Sequence, residues 1–163
     1  MADNNTLPER IFQARESQRI DQGVSTLPRP LVFTNGCFDI LHRGHVSYLE
    51  TAAGLGASLV VGVNSDESVQ SLGKDSSRPF NGLDDRLAVL AALRCIDAVI
   101  AFNEDTPLQL ILKVHPDILV KGGDWTIPDI VGSREVSEWG GAVHSIEFEF
   151  DRSTSGLIDR IRS

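Results

Sequence analysis

The sequence has few cysteines and no long apolar run. Two cysteines, Cys37 and Cys95, are too few for a disulfide framework or a thiolate metal cage. The apolar stretches have the length of strands, far below the ~20 residues that a membrane-spanning helix needs. The opening MADNNTLPER is polar and of mixed charge, unlike a signal peptide. We therefore expect a cytoplasmic protein with no membrane partner.

Positive charge is also scarce. The 163 residues carry 15 Lys and Arg against 23 Asp and Glu, which gives a formal net charge of −8. A general nucleic-acid-binding surface needs an excess of cations, so we expect no nucleic-acid partner. An anionic small substrate is compatible with this charge, because a few cations can be concentrated in one cleft. The only lysines are Lys74, Lys113 and Lys121.

Short apolar runs alternate with helical segments along most of the chain. Strands are predicted over 31–34, 58–63, 98–102, 118–120 and 142–146. Helices are predicted over 44–55, 66–72, 83–94, 129–138 and 154–162, with another after Thr106-Pro107. This alternation predicts parallel strands with right-handed crossovers. The expected fold is a single doubly wound, Rossmann-like α/β sheet, with its ligand site at the carboxyl ends of the strands.

The first thirty residues differ from this pattern. Apolar residues among charges predict an amphipathic helix over 7–22, and the Leu27-Pro28-Arg29-Pro30 step prevents its continuation. We therefore divide the chain into an N-terminal helical arm, 1–30, and one α/β domain, 31–163.

The densest group of unusual residues follows the first core strand, where α/β folds hold phosphates. His42 and His45 are three positions apart, so both imidazoles face the same way in a first helical turn. Paired imidazoles can donate hydrogen bonds to phosphoryl oxygens as charge builds in a transition state. Gly36 lets the backbone approach a ligand. Taken alone, the pair also fits a polar surface or a zinc site, although zinc needs a third ligand.

The string from Gly36 to His45 reads GCFDILHRGH. It resembles the GxFDxxHxGH signature of the cytidylyltransferase-like nucleotidyltransferases. The likeness extends along almost the whole chain after residue 30, through the motifs NSD, RP, DDR, LVKGGDW and DRSTS. Within that family, the combination is most similar to the bacterial heptose 1-phosphate adenylyltransferases that lack a kinase half. The resemblance implies an HxGH-type sheet, ATP as co-substrate, Mg²⁺ as cofactor and a homodimer.

The resemblance also implies roles for individual residues. The catalytic set is His42, His45, Lys121 and Arg152. The nucleotide-binding set is Thr34, Asn35, Gly36, Cys37, Phe38, Gly44, Gly122, Asp124, Ser153 and Thr154. The set expected at the sugar phosphate is Asp39, Lys74, Arg78, Arg86 and Trp125. Asp75 follows Lys74 at a position where the relatives often carry glycine.

Several of these roles agree with the chemistry of the residue types. Arg86 by itself fits a solvated helical arginine; with the resemblance it becomes an anchor that grips phosphate through two parallel bonds. Arg78 lies in a loop rich in Gly, Ser and Pro that could close over phosphates. Ser153 or Thr154 can cap the last helix and leave its amides aimed at an anion. Asp39 could orient a histidine or the sugar phosphate, or help to hold Mg²⁺.

The predicted reaction is attack by a sugar 1-phosphate oxygen on the α-phosphorus of ATP, which gives ADP-heptose and pyrophosphate for lipopolysaccharide core synthesis. His42 and His45 would stabilise the transition state, and Arg152 would help to hold the pyrophosphate. Three alternatives stay open. They are CTP-dependent transfer to glycerol 3-phosphate or a choline or ethanolamine phosphate, a non-catalytic nucleotide-binding regulator, and a zinc hydrolase. The choice of ATP over CTP rests on the resemblance alone.

Overall fold

The computed structural model describes residues 7–72, 77–150 and 153–163. The strands are β1 (Ile11–Phe12), β2 (Leu31–Gly36), β3 (Ser58–Asn64), β4 (Ala98–Phe102), β5 (Ile118–Gly122) and β6 (Ala142–Ile146). The helices are α1 (Leu7–Arg10), α2 (Ser17–Ser25), α3 (Arg43–Ala53), α4 (Asp66–Ser71), α5 (Leu83–Ala91), α6 (Leu108–Val114), α7 (Ser133–Glu138) and α8 (Thr154–Arg162). A short 3-10 turn covers Ile127–Asp129. None of the helices in these ranges has the length and apolar character needed to cross a membrane.

The six strands form one parallel sheet in the order β1-β4-β3-β2-β5-β6. The predicted α/β class and parallel pairing are confirmed. From β2 the chain first builds outwards through β3 and β4, then returns to place β5 on the other side of β2. Crossovers that leave in opposite directions open a crevice at the carboxyl ends of the two central strands. That crevice lies between β2 and β5.

Apolar side chains cover both faces of the sheet. On one face, Ile20, Val24, Ile111 and Val136 from α2, α6 and α7 pack against the strands. The other face carries a second cluster, in which α3 and α5 contribute Tyr48, Leu49, Ala52, Leu87 and Leu90. Burying one large aliphatic or aromatic side chain contributes about 1.5–3 kcal/mol. These two layers hold the strand ends, and therefore the crevice, in fixed positions.

The continuous helix predicted over 7–22 is wrong. Ile11 and Phe12 form a short edge strand that pairs with Val99 and Ile100 of β4. A β-branched and an aromatic residue suit a pleated, half-buried position, and the available edge of β4 overrides the local helical pattern. The described part of the predicted arm therefore packs on the sheet. Its separation as a unit over 1–30 stays a prediction.

Two element boundaries near the crevice also differ from the predicted ones. The helix predicted over 129–138 begins only at Ser133, because Gly132 has φ of 87° and interrupts it. The strand predicted over 118–120 continues to Gly122. Lys121 and Gly122 therefore belong to β5, where successive side chains face opposite sides of the sheet.

Candidate active site

The amino ends of two helices meet at one cleft of about 300 Å³. The cleft is lined by Cys37, Phe38, Asp39, His42, His45, Arg78, Phe148, Ser153, Thr154 and Ser155. Helix α3 begins directly after His42, and α8 begins directly after Ser153. The first amides of a helix have no partner within the helix and carry the positive end of its dipole. Two helix amino ends at one cleft favour the binding of an anion whose charge is spread over several groups, such as a chain of phosphates.

The two histidines form a stacked pair at the start of α3. Their ring centroids lie 3.8 Å apart, with an angle of 21° between the planes. His42 caps the helix, since its Nδ1 accepts a hydrogen bond from the backbone N–H of His45 at 3.4 Å. The edge of Phe38 supports the His45 ring at a centroid distance of 5.4 Å. Because Nδ1 of His42 accepts, its neutral ring carries the hydrogen on Nε2 and is a donor there.

Burial keeps both imidazoles neutral at pH 7. It lowers the pKa of His45 to about 4, the neighbouring His42 adds to this effect, and the Ile40 carbonyl opposes it. Burial also lowers the pKa of His42. Within the described part of the chain, Nδ1 of His45 is buried and has no partner in ordinary hydrogen-bond geometry.

The start of α8 is fixed by its own cap and by a contact with the turn after β2. Ser153 Oγ accepts from the N–H of Gly156 at 3.0 Å, so Ser153 is the cap of the two residues that the sequence offered. Thr154 Oγ1 donates to the carbonyl of Ile40 at 3.3 Å. This contact ties α8 to the segment that leads into α3. The separation of the two helix starts is therefore fixed by a contact within the protein.

Asp39 holds the loop that carries Arg78, at the wall of the cleft. It is 2% exposed, and its Oδ2 lies 3.1 Å from Nε of Arg78. Its Oδ1 accepts from the backbone N–H groups of Phe80 and Asn81, at 2.8 and 2.9 Å. These contacts direct Asp39 to Arg78 and to the loop, and its contact with the sugar phosphate stays a prediction. Arg78 reaches the cleft wall, and Asp39 fixes its guanidinium there.

The role of Arg86 as a substrate anchor stays a prediction, and the structure places its side chain inside the protein. This side chain is 2% exposed and does not line the cleft. Its guanidinium donates to the carbonyls of Cys37 and Asn81, at 2.7 and 3.0 Å, and to Oδ1 of Asp66 at 2.8 Å. Arg86 therefore lies behind the turn after β2 and joins that turn to α5. By itself the sequence pattern fits a solvated arginine, but the guanidinium is buried against two main-chain carbonyls and the Asp66 carboxylate.

Lys121 and Trp125 lie at a second, smaller pocket of about 90 Å³. The pocket also contains Asn35, Asp129 and Val131. Nζ of Lys121 is 5.8 Å from the centre of the Trp125 ring. Since side chains alternate along a strand, Lys121 faces this pocket while Gly122 faces the histidine side. The structure brings Lys121, Asn35 and Trp125 together, but separately from the residues that surround the histidines.

The remaining predicted residues have more varied positions. Thr34 is fully buried, and its hydroxyl pairs with that of Tyr48. Gly44 lies against the His42 ring, since a Cβ there would be 3.1 Å from the imidazole. A Cβ at Gly36 would be 3.0 Å from the Phe38 ring.

Asp124 is exposed after β5. Lys74 and Arg152 lie outside the described residues.

Two residues at the cleft were not in the predicted set. Ser155 belongs to the first turn of α8, and Phe148 follows β6 at its carboxyl end. The sequence did contain a signal for Phe148. It lies in the segment EFEF, directly after a predicted strand whose carboxyl end is at the ligand edge of the sheet. Within the described ranges, no three His, Cys, Asp or Glu side chains form a group that could hold a metal ion, so a zinc hydrolase has no ligand set there.

Comparison with known sequences gives consistent matches. The sequence model of the family described as cytidylyltransferase-like matches residues 33–159. A Bordetella bronchiseptica protein named D-beta-D-heptose 1-phosphate adenylyltransferase is 59% identical over 136 residues, which are 83% of this chain and 84% of that protein. The bifunctional protein HldE of Pasteurella multocida is 51% identical over 152 residues, which are 93% of this chain and 32% of HldE. The chain thus spans about a third of that bifunctional relative.

Solved structures share the architecture. The lipopolysaccharide core biosynthesis protein from Thermoplasma volcanium aligns with a TM-score of 0.62 and 30% identity, over 74% of this chain and 98% of that one. The pantoate-beta-alanine ligase from Francisella tularensis aligns with a TM-score of 0.58 over 90% of this chain and 69% of that one. Its 12% identity supports a common fold and nothing further.

Proposed function

The chain belongs to the cytidylyltransferase-like family, and from that premise we propose that it transfers the adenylyl group of ATP to D-glycero-D-manno-heptose 1-phosphate. The products are ADP-heptose and pyrophosphate, used in building the lipopolysaccharide core. The choice of nucleotide and acceptor is supported by the 59% identity to the Bordetella bronchiseptica protein named as a heptose 1-phosphate adenylyltransferase.

One observation carries the chemical part of the proposal: two stacked, neutral imidazoles stand at a cleft between two helix starts. An oxygen of the sugar phosphate attacks the α-phosphorus, a new P–O bond forms, and the bond to the β-phosphate breaks. Negative charge then grows on the α-phosphoryl oxygens and on the departing pyrophosphate. Fixed donors that meet this charge lower the barrier, because they need no rearrangement during the reaction.

The position of each residue determines which part of the reacting groups it contacts. His42 and His45 donate to the α-phosphoryl oxygens. The first amides of α8, with Ser153 and Thr154, hold the pyrophosphate end, where Arg152 is expected to join them. Lys121 acts from the neighbouring pocket and draws the acceptor phosphate towards the α-phosphorus. Arg78, oriented by Asp39, adds positive charge at the cleft wall.

Mg²⁺ enters this proposal as part of the nucleotide substrate. The described residues do not fit a metal site of the protein's own, since among them no three His, Cys, Asp or Glu side chains form a ligand group. Mg²⁺ commonly keeps several waters and binds substrate phosphates with few protein ligands. We therefore propose MgATP as the bound form, with the protein contacting the phosphates.

The test is a pyrophosphate-release assay with every pairing of two nucleotides and three acceptors. ATP or CTP is combined with heptose 1-phosphate, glycerol 3-phosphate or phosphocholine, with Mg²⁺ and with EDTA. We expect release only with ATP, heptose 1-phosphate and Mg²⁺ together, and ADP-heptose as the second product. Release with CTP and glycerol 3-phosphate would overturn the substrate assignment while leaving the transfer chemistry. Nucleotide binding with no release in any pairing would favour a regulator.

Location and assembly complete the proposal. A cytoplasmic location agrees with the use of ATP, and the assay needs no nucleic acid or membrane. A homodimer remains a prediction, which the mass of the protein in solution tests directly.

A further inference from the structure

We propose that Phe148 is a nucleotide-binding residue whose ring stacks on the adenine of ATP. This inference rests on the proposed function, because it assumes that the cleft takes ATP. It adds the part of the site that recognises the base. The phosphate-binding groups described above supply contacts to charge alone and would accept any triphosphate.

Phe148 has an open aromatic surface beside the phosphate-binding groups. Its side chain is 43% exposed and lines the same cleft as His42, His45 and Thr154. The other phenyl group at this cleft, Phe38, is 7% exposed and supports the His45 ring. Of the two, Phe148 is therefore the ring with surface left for a ligand. An exposed apolar ring in a polar cleft gains most when a flat apolar partner covers it.

The back of the Phe148 ring is supported by β5 and α3. The ring centroid lies 5.5 Å from that of Tyr48, with an angle of 57° between the planes. Position 122 must be small, since a Cβ there would lie 2.9 Å from Cζ of Phe148 and 3.1 Å from the Tyr48 ring. Gly122 thus lets the phenyl group settle against the strand end. One side of the ring is packed on protein, and another side remains open to the cleft.

Contacts on both sides of Phe148 in the sequence hold the segment onto α3. Ser47 Oγ donates to Oε2 of Glu149 at 2.8 Å. The guanidinium of Arg43 stacks over the ring of Phe150 at 3.7 Å. These two contacts attach the segment to the helix that carries the histidines. The position of the Phe148 ring relative to the phosphate-binding groups is therefore set before a ligand arrives, which reduces the entropy lost on binding.

The chemistry of the cleft identifies the occupant of this ring as a base. The triphosphate is an anion and goes to the helix starts, so the remainder of the nucleotide must extend along the cleft wall. Every nucleobase has a π-face, and stacking on an aromatic side chain is worth about 1–3 kcal/mol per base in nucleic-acid-binding proteins. The acceptor sugar is polar on most of its surface and gains less from a phenyl group.

The experiment compares ATP with inorganic tripolyphosphate, which carries similar charge and no base. Dissociation constants are measured by calorimetric titration with Mg²⁺ and without acceptor, so no turnover occurs. The proteins are wild type, Phe148→Leu, Phe148→Trp and Leu112→Ala. Leu112 is the matched control, because this α6 side chain is 42% exposed and lines neither pocket.

We expect Phe148→Leu to weaken ATP roughly tenfold and to leave tripolyphosphate binding unchanged. Phe148→Trp should retain ATP affinity, and Leu112→Ala should affect neither ligand. Unchanged ATP affinity in Phe148→Leu, or equal weakening of both ligands, would overturn the stacking role. Wild-type protein that binds ATP no more tightly than tripolyphosphate would overturn it as well.

The outcome is separable from the test of the proposed function. Because the titrations contain no acceptor, a tenfold ATP-specific loss in Phe148→Leu stands even if heptose 1-phosphate proves to be the wrong acceptor. A rise in the KM for heptose 1-phosphate alone, with ATP binding unchanged, would instead place Phe148 at the acceptor and contradict the inference.

Discussion

Nη1 of Arg86 donates to the carbonyl of Cys37 at 2.7 Å and so joins residues 49 positions apart. The same guanidinium reaches the carbonyl of Asn81, whose backbone N–H in turn binds Asp39. One buried side chain therefore connects the turn after β2 with the loop that carries Arg78. The cleft wall depends on this connection, although Arg86 itself lies outside the cleft.

Replacing Arg86 by lysine should reduce stability and activity together. A lysine keeps the charge but not the planar arrangement of donors, so at least one buried carbonyl loses its partner. We expect a loss of about 2–4 kcal/mol in the free energy of unfolding, measured by urea denaturation. Arg134→Lys is the control, since its ion pair with Glu138 is exposed and screened by solvent. Equal midpoints for the two variants would contradict this role.

The sequence predicts those elements best whose determinants lie within their own segment of the chain. The strands over 98–102 and 142–146 and the helix over 154–162 agree with the predicted bounds, because their apolar patterns and caps are contained within the segments. The short strand at Ile11–Phe12 could not be read this way. Its partner is β4, some ninety residues away, and the pairing appears only when the sheet is assembled.

The site shows the same limit. The string from Gly36 to His45 identified the turn and the histidine pair, since the spacing within one helical turn fixes their common face. The hydrogen-bond partners of the charged side chains could not be predicted from the sequence. The resemblance implied contacts of Arg86 and Asp39 with substrate, whereas the structure pairs both side chains with main-chain groups, including those of the loop at Phe80 and Asn81. Phe148 was not predicted, because the place of its ring at the cleft appears only in the folded chain.

The lowered histidine pKa values predict a loss of stability in mild acid. The His45 pKa is about 4 in the folded chain and near 6.5 when unfolded, so between these values the unfolded chain binds more protons. The contribution of His45 to the free energy of unfolding is therefore fully present above about pH 6.5. It is lost as the pH is lowered towards 4. Urea denaturation at pH 7.5 and 5.0 should show a smaller loss in His45→Asn than in wild type. An identical loss in both proteins would contradict the lowered pKa.

Adding a methyl group at Gly122 should disturb nucleotide binding more than folding. A Cβ there would be 2.9 Å from the end of the half-exposed Phe148 ring, which must move, and 3.1 Å from the buried Tyr48 ring, which must shift by a few tenths of an ångström. We expect Gly122→Ala to weaken ATP binding several-fold, with little change in the unfolding midpoint. Gly54→Ala is the control, because its nearest contact at 3.4 Å is ordinary and its φ of −64° suits alanine. An unchanged ATP affinity in Gly122→Ala would contradict the expected displacement of the Phe148 ring.

The most direct measurement is the turnover of His42→Asn and His45→Asn with ATP and heptose 1-phosphate, together with their ATP dissociation constants. If the stacked imidazoles meet charge that develops in the transition state, kcat should fall about 10²–10³-fold while ATP binding changes little. His144→Asn, on the exposed part of β6, should keep the wild-type kcat. Turnover within about twofold of wild type in both variants would contradict the account.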